Sequence, residues 1–240
     1  KKVGCLASGA QGPGGNALYL GDKIYSNGLI GIALSGDIEV DTIVAQGCRP
    51  IGQPMKITAC QDTLLKELDG KPTLEVLQDL NEILSDTDKK LLQTSLFLGI
   101  EMDAMKDDPK QGDFLIRNLM GVDRESQSLA IGALLRTGQL VQFHLRDKKM
   151  SSEDLDVMLT RYLSQDHAEN ASGALLFSCL GRGKYLYGEA NHDTNMFQDK
   201  LGKIPLGGFF CNGEIGPVGN ATFLHGYTSS FGIFRKSDRT

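Results

Sequence analysis

The sequence predicts an α+β protein made of two related, strand-rich halves with mixed or antiparallel sheets and flanking helices. Two observations support this prediction. Hairpin-like strand pairs and amphipathic helices follow one another irregularly along the 240 residues, unlike a regular βαβ series. The two ends of the chain also repeat each other, which indicates a pseudo-two-fold internal repeat.

The repeat relates residues 4–28 to residues 208–232. Aligned without a gap, the 25 positions share ten identities, most of them Gly, Pro or Asn. Shuffling two such segments would give roughly two or three identities. Because Gly, Pro and Asn fix unusual backbone conformations, we expect the two copies to lie close together around a shared cleft.

The first half of the chain reads as strands followed by two helices. Residues 29–34 are apolar, residues 38–44 alternate with period two, and residues 54–60 are again extended in pattern. Pro72 begins a helix with one apolar face, and a second short helix is predicted over residues 87–92.

The second half begins with strands predicted over residues 95–101 and 114–119. A hairpin is predicted in which residues 129–135 pair with residues 140–145, and residues 103–111 are predicted to form an exposed loop. Ser151 and Ser152 are predicted to cap a helix. A buried strand over 174–179, a helix over 191–201 and a strand over 205–211 complete the predicted elements.

Composition narrows the possible partners. The net charge is −5 and no basic run exists, which argues against nucleic acid. The apolar stretches are too short to span a bilayer. Five cysteines without paired spacing favour a reducing, cytoplasmic compartment, and neither a metal site nor a cofactor is predicted. The GPGGNA run at residues 12–17 precedes a strand, so it does not predict a dinucleotide site.

Five polar residues stand where a predicted strand gives way to a glycine-rich turn. They are Arg49, Arg182, Asn212, Glu214 and His225. The two guanidinium groups suit a carboxylate or phosphate, and Glu214 suits an amine. We therefore predict that some of these residues line a polar ligand pocket. The alternative for each is a structural one, in which the arginines pair with protein acids and Asn212 takes a left-handed turn.

Catalysis by a cysteine is a second hypothesis. Arg49 would favour the thiolate form of its neighbour Cys48, and Glu214 with His225 form the best acid–histidine pair in the chain. No local base accompanies Cys48, however. A structural or protein-interaction subunit without a ligand is a third hypothesis, in which the glycine-rich turns serve close packing.

Several long motifs identify the chain as resembling the FIST family. They are PLGGFFCNGEIGPVGNATFLHGYTSSFGIF, SCLGRGKYLYGEANHD, DFLIRNLMGVD, FHLRD, LASGAQGPGGNA and VAQGCRPIG. The resemblance implies that residues 1–68 are the end of a FIST N-terminal domain and residues 69–240 a FIST C-terminal domain. It also implies an intracellular small-molecule sensor of signal transduction rather than an enzyme, with amino-acid-like or carboxylate ligands and an unidentified protein partner.

Overall fold

The computed structural model describes residues 1–237. In chain order the strands are β1 (Gly4–Cys5), β2 (Leu18–Leu20), β3 (Lys23–Tyr25), β4 (Glu39–Ala45), β5 (Cys48–Gln61), β6 (Leu64–Leu68), β7 (Lys71–Pro72), β8 (Leu96–Glu101), β9 (Phe114–Asp123), β10 (Ser128–Ile131), β11 (Leu140–Arg146), β12 (Ala171–Cys179), β13 (Leu206–Cys211), β14 (Glu214–Val218), β15 (Ala221–His225) and β16 (Ser229–Arg235). The helices are α1 (Thr73–Ile83), α2 (Asp86–Thr94), α3 (Lys148–Leu163), α4 (Lys184–Tyr187) and α5 (His192–Leu201). The predicted α+β class is therefore confirmed.

The chain folds as two compact units. The first contains residues 1–46 and 154–237, and the second contains residues 47–153. Along the described residues, no helix has both the length and the apolar character needed to cross a membrane.

The second unit is built around a closed, antiparallel barrel. Its strands follow the order β10-β9-β8-β11-β5-β6, β10 also pairs with β6 to close the ring, and β7 extends β6. The interior is apolar, with Leu65, Leu98, Leu129 and Phe143 fully buried. Along each strand, alternate residues point into the barrel and form this interior. Closure of the ring also leaves few exposed strand edges.

Helices α1 and α2 belong to this unit and match the sequence prediction in place. Helix α1 begins after Pro72 and buries Val76 and Leu80, whose spacing of four residues puts them on one face. Helix α2 is capped by Ser85, whose side chain accepts a hydrogen bond from the Asp88 amide at 3.2 Å.

The predicted hairpin of residues 129–135 with 140–145 is wrong. Strand β10 pairs with β9 and β6, and β11 pairs with β5 and β8. The turn that fixes β10 lies earlier, where Asp123 accepts hydrogen bonds from the Glu125 and Ser126 amides. Two strands that are neighbours in sequence are thus not paired with each other in the barrel.

The start of α3 also differs from the prediction. The helix begins at Lys148, three residues before Ser151, whose hydroxyl instead donates to the Gly47 carbonyl at 3.0 Å. A Cβ on Gly47 would lie 2.6 Å from the Ser151 hydroxyl oxygen, and the residue has φ +73°. Only glycine therefore fits at residue 47.

Residue His144 of β11 is fully buried inside the second unit. With Nδ1 protonated, the ring donates to the Gln142 carbonyl at 2.9 Å, and Nε2 has no hydrogen-bond partner within residues 1–237. Burial lowers the pKa of His144 to about 4 from its ordinary value of 6.5. Because the charged form is disfavoured only in the folded state, protonation must weaken folding.

We predict that acid destabilises the protein through His144. The depressed folded-state pKa contributes stability above pH 6.5 that is lost as the pH falls toward 4. A shift of this size corresponds to about 3 kcal/mol. Urea unfolding between pH 7.5 and 4 should show a shallower pH dependence for His144→Gln than for the wild type. Identical slopes would contradict the assignment.

The first unit contains a four-stranded mixed sheet with the order β13-β12-β16-β4. Strands β12 and β13 are parallel, whereas β16 is antiparallel to both of its neighbours. Helices α3 and α5 contribute to a core in which Leu155, Leu159 and Phe197 pack with Phe231 and Ile233. The unit also holds a three-stranded sheet β1-β14-β15 and the small hairpin β2-β3.

The structure does not show the predicted internal repeat. The two copies do touch, since β1 pairs with β14 and brings Gly4 opposite Ile215. Their backbones differ, however: Gly12 lies among turns and bends, whereas its counterpart Gly216 lies within β14. The apolar run 29–34 likewise forms no strand and is mostly exposed. Shared glycines therefore do not impose one conformation, because glycine permits several.

We predict that Gly208 of β13 tolerates no side chain. Its φ is +144°, and a Cβ there would lie 1.9 Å from the Leu176 carbonyl oxygen. Gly208→Ala should therefore cost about 3 kcal/mol or more in unfolding free energy. Gly173→Ala is the matched control, because a Cβ at that position meets nothing closer than 3.6 Å. Equal melting temperatures for the two variants would overturn this reading.

Candidate functional site

The candidate site is organised by Arg182, in the turn that follows β12. The Arg182 amide donates to the Cys179 carbonyl at 2.9 Å, and Gly183 next to it has φ +68°, so a tight turn carries the side chain. The guanidinium is almost completely buried, at 1% exposure. A buried cation of this kind requires an anionic partner.

That partner is Asp193, in the first turn of α5. Arg182 donates to it through two nitrogens, Nε to Oδ2 at 2.8 Å and Nη2 to Oδ1 at 3.2 Å. The Ser229 hydroxyl donates to Oδ2 at 2.6 Å, and His192 Nδ1 lies 3.1 Å from Oδ1. The carboxylate is thus held by groups from the β12 turn, α5 and β16.

Electrostatics keep both members of the pair charged. Burial alone would raise the pKa of Asp193, but the Arg182 charge and the hydrogen bonds from Arg182, Ser229 and His192 outweigh it and leave that pKa well below its usual range. Burial alone would lower the pKa of Arg182, yet the Asp193 carboxylate raises it overall. The pair is therefore ionised at neutral pH.

Tyr187 of α4 completes this network. Arg182 Nη2 donates to its hydroxyl oxygen at 2.5 Å, and the Tyr187 ring stacks on the His192 ring with centroids 3.5 Å apart. Arg182 Nη1, by contrast, is buried without a hydrogen-bond partner among residues 1–237. One nitrogen of the guanidinium thus has no hydrogen-bond partner inside a network that is otherwise well satisfied.

A second buried carboxylate, Glu214, lies within electrostatic range of Arg182. Its Oε2 accepts hydrogen bonds from the Thr228 amide at 3.1 Å and the Thr228 hydroxyl at 2.8 Å. Cys211 donates its thiol to Oε1 at 3.6 Å. Burial raises the pKa of Glu214, and the Thr228 hydrogen bonds offset this only in part.

The cysteines near Glu214 are poor nucleophiles. Burial raises the pKa of Cys211 far above its ordinary value, and the Glu214 charge adds to the rise. Burial also raises the pKa of Cys5, which contacts Cys211. Both thiols therefore stay protonated at neutral pH, and all five cysteines of the chain are free thiols.

A cavity of about 360 Å³ lies beside the Arg182–Asp193 pair. Its apolar wall is formed by Leu176, Leu206, Phe209 and Phe210, together with Gly207 and Gly208 of β13. Its polar groups come from Ser178, Lys184, Asn191, His192, Asp193 and Thr194. A concave, largely apolar space with a few converging polar groups is the usual form of a small-molecule site.

The five residues predicted from the sequence are only partly brought together. Arg182, Glu214 and His225 are buried in the first unit, and His225 stands opposite Glu214 in the β14–β15 ladder with its Nε2 donating to the Gly216 carbonyl at 3.0 Å. Asn212 is exposed, and its main-chain amide donates to the Leu6 carbonyl at 3.3 Å.

Arg49 lies in the second unit, where it pairs with Asp88 and lies 4.0 Å from Asp147. Arg49 therefore pairs with protein acids, as the structural alternative for this residue predicted. None of the five residues lines the cavity, so the pocket predicted from them stays a prediction. Cys48, proposed as a nucleophile, is completely buried in the same unit as Arg49.

Sequence reasoning missed the partners of Arg182. Tyr187, His192 and Asp193 all lie in the motif SCLGRGKYLYGEANHD, so the signal was present in that run. What was lacking was any way to recognise that Asp193 turns inward, because an Asp at a helix start normally faces solvent. In the described part of the chain, no group of three or more His, Cys, Asp or Glu side chains is arranged to hold a metal ion.

The first unit thus combines a strand-rich fold with a cavity beside a buried ion pair. The chain belongs to the FIST family: the FIST N domain matches residues 1–71 and the FIST C domain residues 74–217. FIST domains are in general small-ligand-sensing domains of signalling proteins. The predicted boundary between residues 68 and 69 separates these two family domains, and it stays a prediction. The two compact units of the fold divide the chain at other positions.

Relatives of the chain include uncharacterised mycobacterial proteins. One from Mycobacterium bovis and one from Mycobacterium tuberculosis are each 38% identical over 232 residues, which covers 97% of this chain and 60% of the relative. An F-box/LRR-repeat protein of Arabidopsis thaliana is 24% identical over 230 residues, covering 81% of this chain and 42% of the relative. The chain thus spans 60% or less of the length of these relatives.

We predict that Asp193→Asn destabilises the first unit strongly. It leaves the buried Arg182 guanidinium without the carboxylate to which it donates two hydrogen bonds, and breaking a buried pair in this way typically costs about 3–5 kcal/mol. Asp199→Asn is the matched control, because Asp199 is an exposed carboxylate on the same helix. Urea unfolding of both variants is the measurement, and a loss below about 1 kcal/mol for Asp193→Asn would show that the pair is not required.

Proposed function

We propose that this chain is the ligand-binding part of an intracellular small-molecule sensor, and that the cavity between β13 and the first turn of α5 receives the ligand. The observation that supports this most directly is the combination of the 360 Å³ cavity with the rigid polar network of Arg182 and Asp193 beside it. Pre-organised polar groups at the edge of an apolar space give a site both affinity and orientation.

The charges around the cavity favour an anionic ligand with an apolar portion. Lys184 is exposed and lines the cavity, and no ion pair with it is present within residues 1–237. The first turn of α5 adds the positive end of a helix dipole. Since Asp193 is neutralised by Arg182, it does not cancel this field. A carboxylate, including that of an amino-acid-like molecule, is the ligand we propose.

Signalling follows from the same contacts by a shift of populations. The Asp193 network connects α5 to the β12 turn, α4 and β16. A ligand that contacts the first turn of α5 and β13 together stabilises one placement of that helix, and a partner protein distinguishes it from the unliganded state. The F-box/LRR-repeat name of the Arabidopsis relative supports the proposal that a partner protein recognises the liganded state.

Binding is favoured over cysteine-dependent catalysis. A nucleophilic cysteine needs a lowered pKa and an adjacent base. Here the pKa of Cys5 and of Cys211 is raised, and Cys48 is completely buried. A purely structural role is the remaining alternative, and it predicts that no small molecule stabilises the protein.

We predict that a small carboxylate raises the melting temperature of the chain. A ligand present at 100 times its Kd stabilises the native state by about 2.7 kcal/mol, or roughly 5–10 °C for a chain of this size. The measurement is a thermal-shift screen of amino acids, keto acids and other central metabolites, followed by calorimetric titration of each hit.

Thr194→Trp should abolish the shift by filling the cavity, which Thr194 lines. Asn195→Trp is the control, since Asn195 is the next residue of α5, is exposed and lies outside the cavity lining. A hit that Thr194→Trp leaves unchanged binds somewhere else, and a screen without any hit supports the structural role.

A further inference from the structure

Strand β13 is the outermost strand of its sheet. It pairs in parallel with β12 on one side, and on its other side no described strand is paired with it. Such an edge carries alternate backbone groups that have no partner in the sheet, and it can accept one more extended chain.

Hydrogen bonds at the two ends of β13 show which backbone groups face outward. The Pro205 carbonyl accepts from the Ala174 amide at 2.8 Å, and the Cys211 carbonyl accepts from the Leu180 amide at 3.0 Å, so the odd-numbered residues face β12. The main-chain amides and carbonyls of the even-numbered residues therefore point away from β12, toward the open edge. The Phe210 carbonyl confirms this alternation, because it accepts a hydrogen bond from the Ser8 hydroxyl at 2.6 Å.

The cavity adjoins this edge strand. Residues 206–210 all contribute to the cavity lining. The outward groups there are the amides and carbonyls of Leu206 and Gly208 and the amide of Phe210. They recur every second residue, a spacing of about 6.6 Å. A ligand that reaches from the cavity to the outer edge of β13 thus meets a regular series of main-chain donors and acceptors.

We propose that the cavity binds an extended, peptide-like ligand with a free carboxylate, which adds to β13 as a further strand. This inference rests on the function proposed above and specifies the class of ligand. The ligand's amide groups pair with the outward main chain of Leu206, Gly208 and Phe210, and its carboxylate lies near Lys184. Main-chain pairing supplies affinity in this mode of recognition, and the space beside the edge selects side chains.

Charge complementarity sets the direction of the bound strand. Gly183 lies against the Phe210 ring, since a Cβ there would come within 2.7 Å of it, so Lys184 stands at the Phe210 end of the edge. A ligand that runs parallel to β13 brings its C-terminal carboxylate to this end. An antiparallel ligand would place its N-terminus beside the Lys184 ammonium, which is unfavourable.

Gly208 lies in the cavity lining at the middle of the edge strand, between Leu206 and Phe210. A side chain is excluded at this position by β12, because a Cβ would lie 1.9 Å from the Leu176 carbonyl oxygen. The surface of β13 between Leu206 and Phe210 therefore carries no side chain. A ligand side chain that projects to the same side as theirs fills this gap.

The test uses a panel of N-acetylated dipeptide acids in which both side chains are varied, titrated calorimetrically into the chain. For the tightest binder, three matched analogues are compared: the C-terminal amide, the ester in which the central amide N–H is replaced by oxygen, and the free C-terminal amino acid alone. Loss of the carboxylate and loss of the N–H should each weaken binding about tenfold. The free amino acid should bind more weakly than the dipeptide acid and than its C-terminal amide.

Lys184→Met should weaken the acid about tenfold and leave the C-terminal amide unchanged, so that the two bind alike. Lys203→Met is the control, because Lys203 is exposed and lies outside the cavity lining. Circular dichroism and the melting temperature confirm that both variants fold.

Three results would overturn the proposal. They are the absence of binding across the whole panel, equal binding of acid and ester, and a dimer in sedimentation whose formation excludes the peptides and leaves β13 paired with a second copy. If the panel fails while a metabolite hit is still blocked by Thr194→Trp, the cavity remains the sensor site and only the peptide-like class is wrong. If no compound of any class binds, the proposed function fails as well.

Discussion

The first unit depends on one buried ion pair, between Arg182 and Asp193. Neither group is tolerated alone in an apolar interior, because an isolated charge there loses its hydration without compensation. Together they are matched in geometry, since two guanidinium nitrogens meet two carboxylate oxygens at 2.8 and 3.2 Å. Replacement by apolar residues would often be just as stable, so the pair is better understood as fixing one arrangement than as adding stability.

What the pair fixes is the placement of α5. Hydrogen bonds from Ser229 and the β12 turn both end on the carboxylate at the start of that helix. The cavity lies where the helix start approaches β13, so its shape follows from the same contacts. The unmet Arg182 Nη1 donor indicates that this polar interior is not fully saturated by the protein itself.

The sequence was sufficient for the elements that local pattern controls. Helix α1 is announced by Pro72 and a one-sided apolar face, and strands β12 and β13 by short apolar runs. It was insufficient where pairing is long-range, as with β10 and β11, whose partners lie up to 66 and 98 residues away in the chain. Hydrophobic alternation identifies a strand but does not choose its neighbour.

The same limit applies to the site. Arg182 and Glu214 stood out because a charge between an apolar strand and a glycine turn is unusual. Asp193 did not stand out, because a carboxylate at a helix start is common and normally solvated. Only the fold shows that this one is buried and paired. Arg49 illustrates the reverse case, since a similar local pattern ends in a pair with Asp88 in the other unit.

The order of the units along the chain has a consequence for biosynthesis. Residues 47–153 are continuous, so the barrel can close on the ribosome as soon as β11 has emerged. The four-stranded sheet cannot do so, because β16 lies between β12 and β4 and is made last. Until β16 is translated, β4 has no strand to pair with, although the second unit, which follows β4 in the chain, can already fold. A ribosome stalled shortly before Ser229 would therefore carry a finished barrel attached to an unfinished first unit.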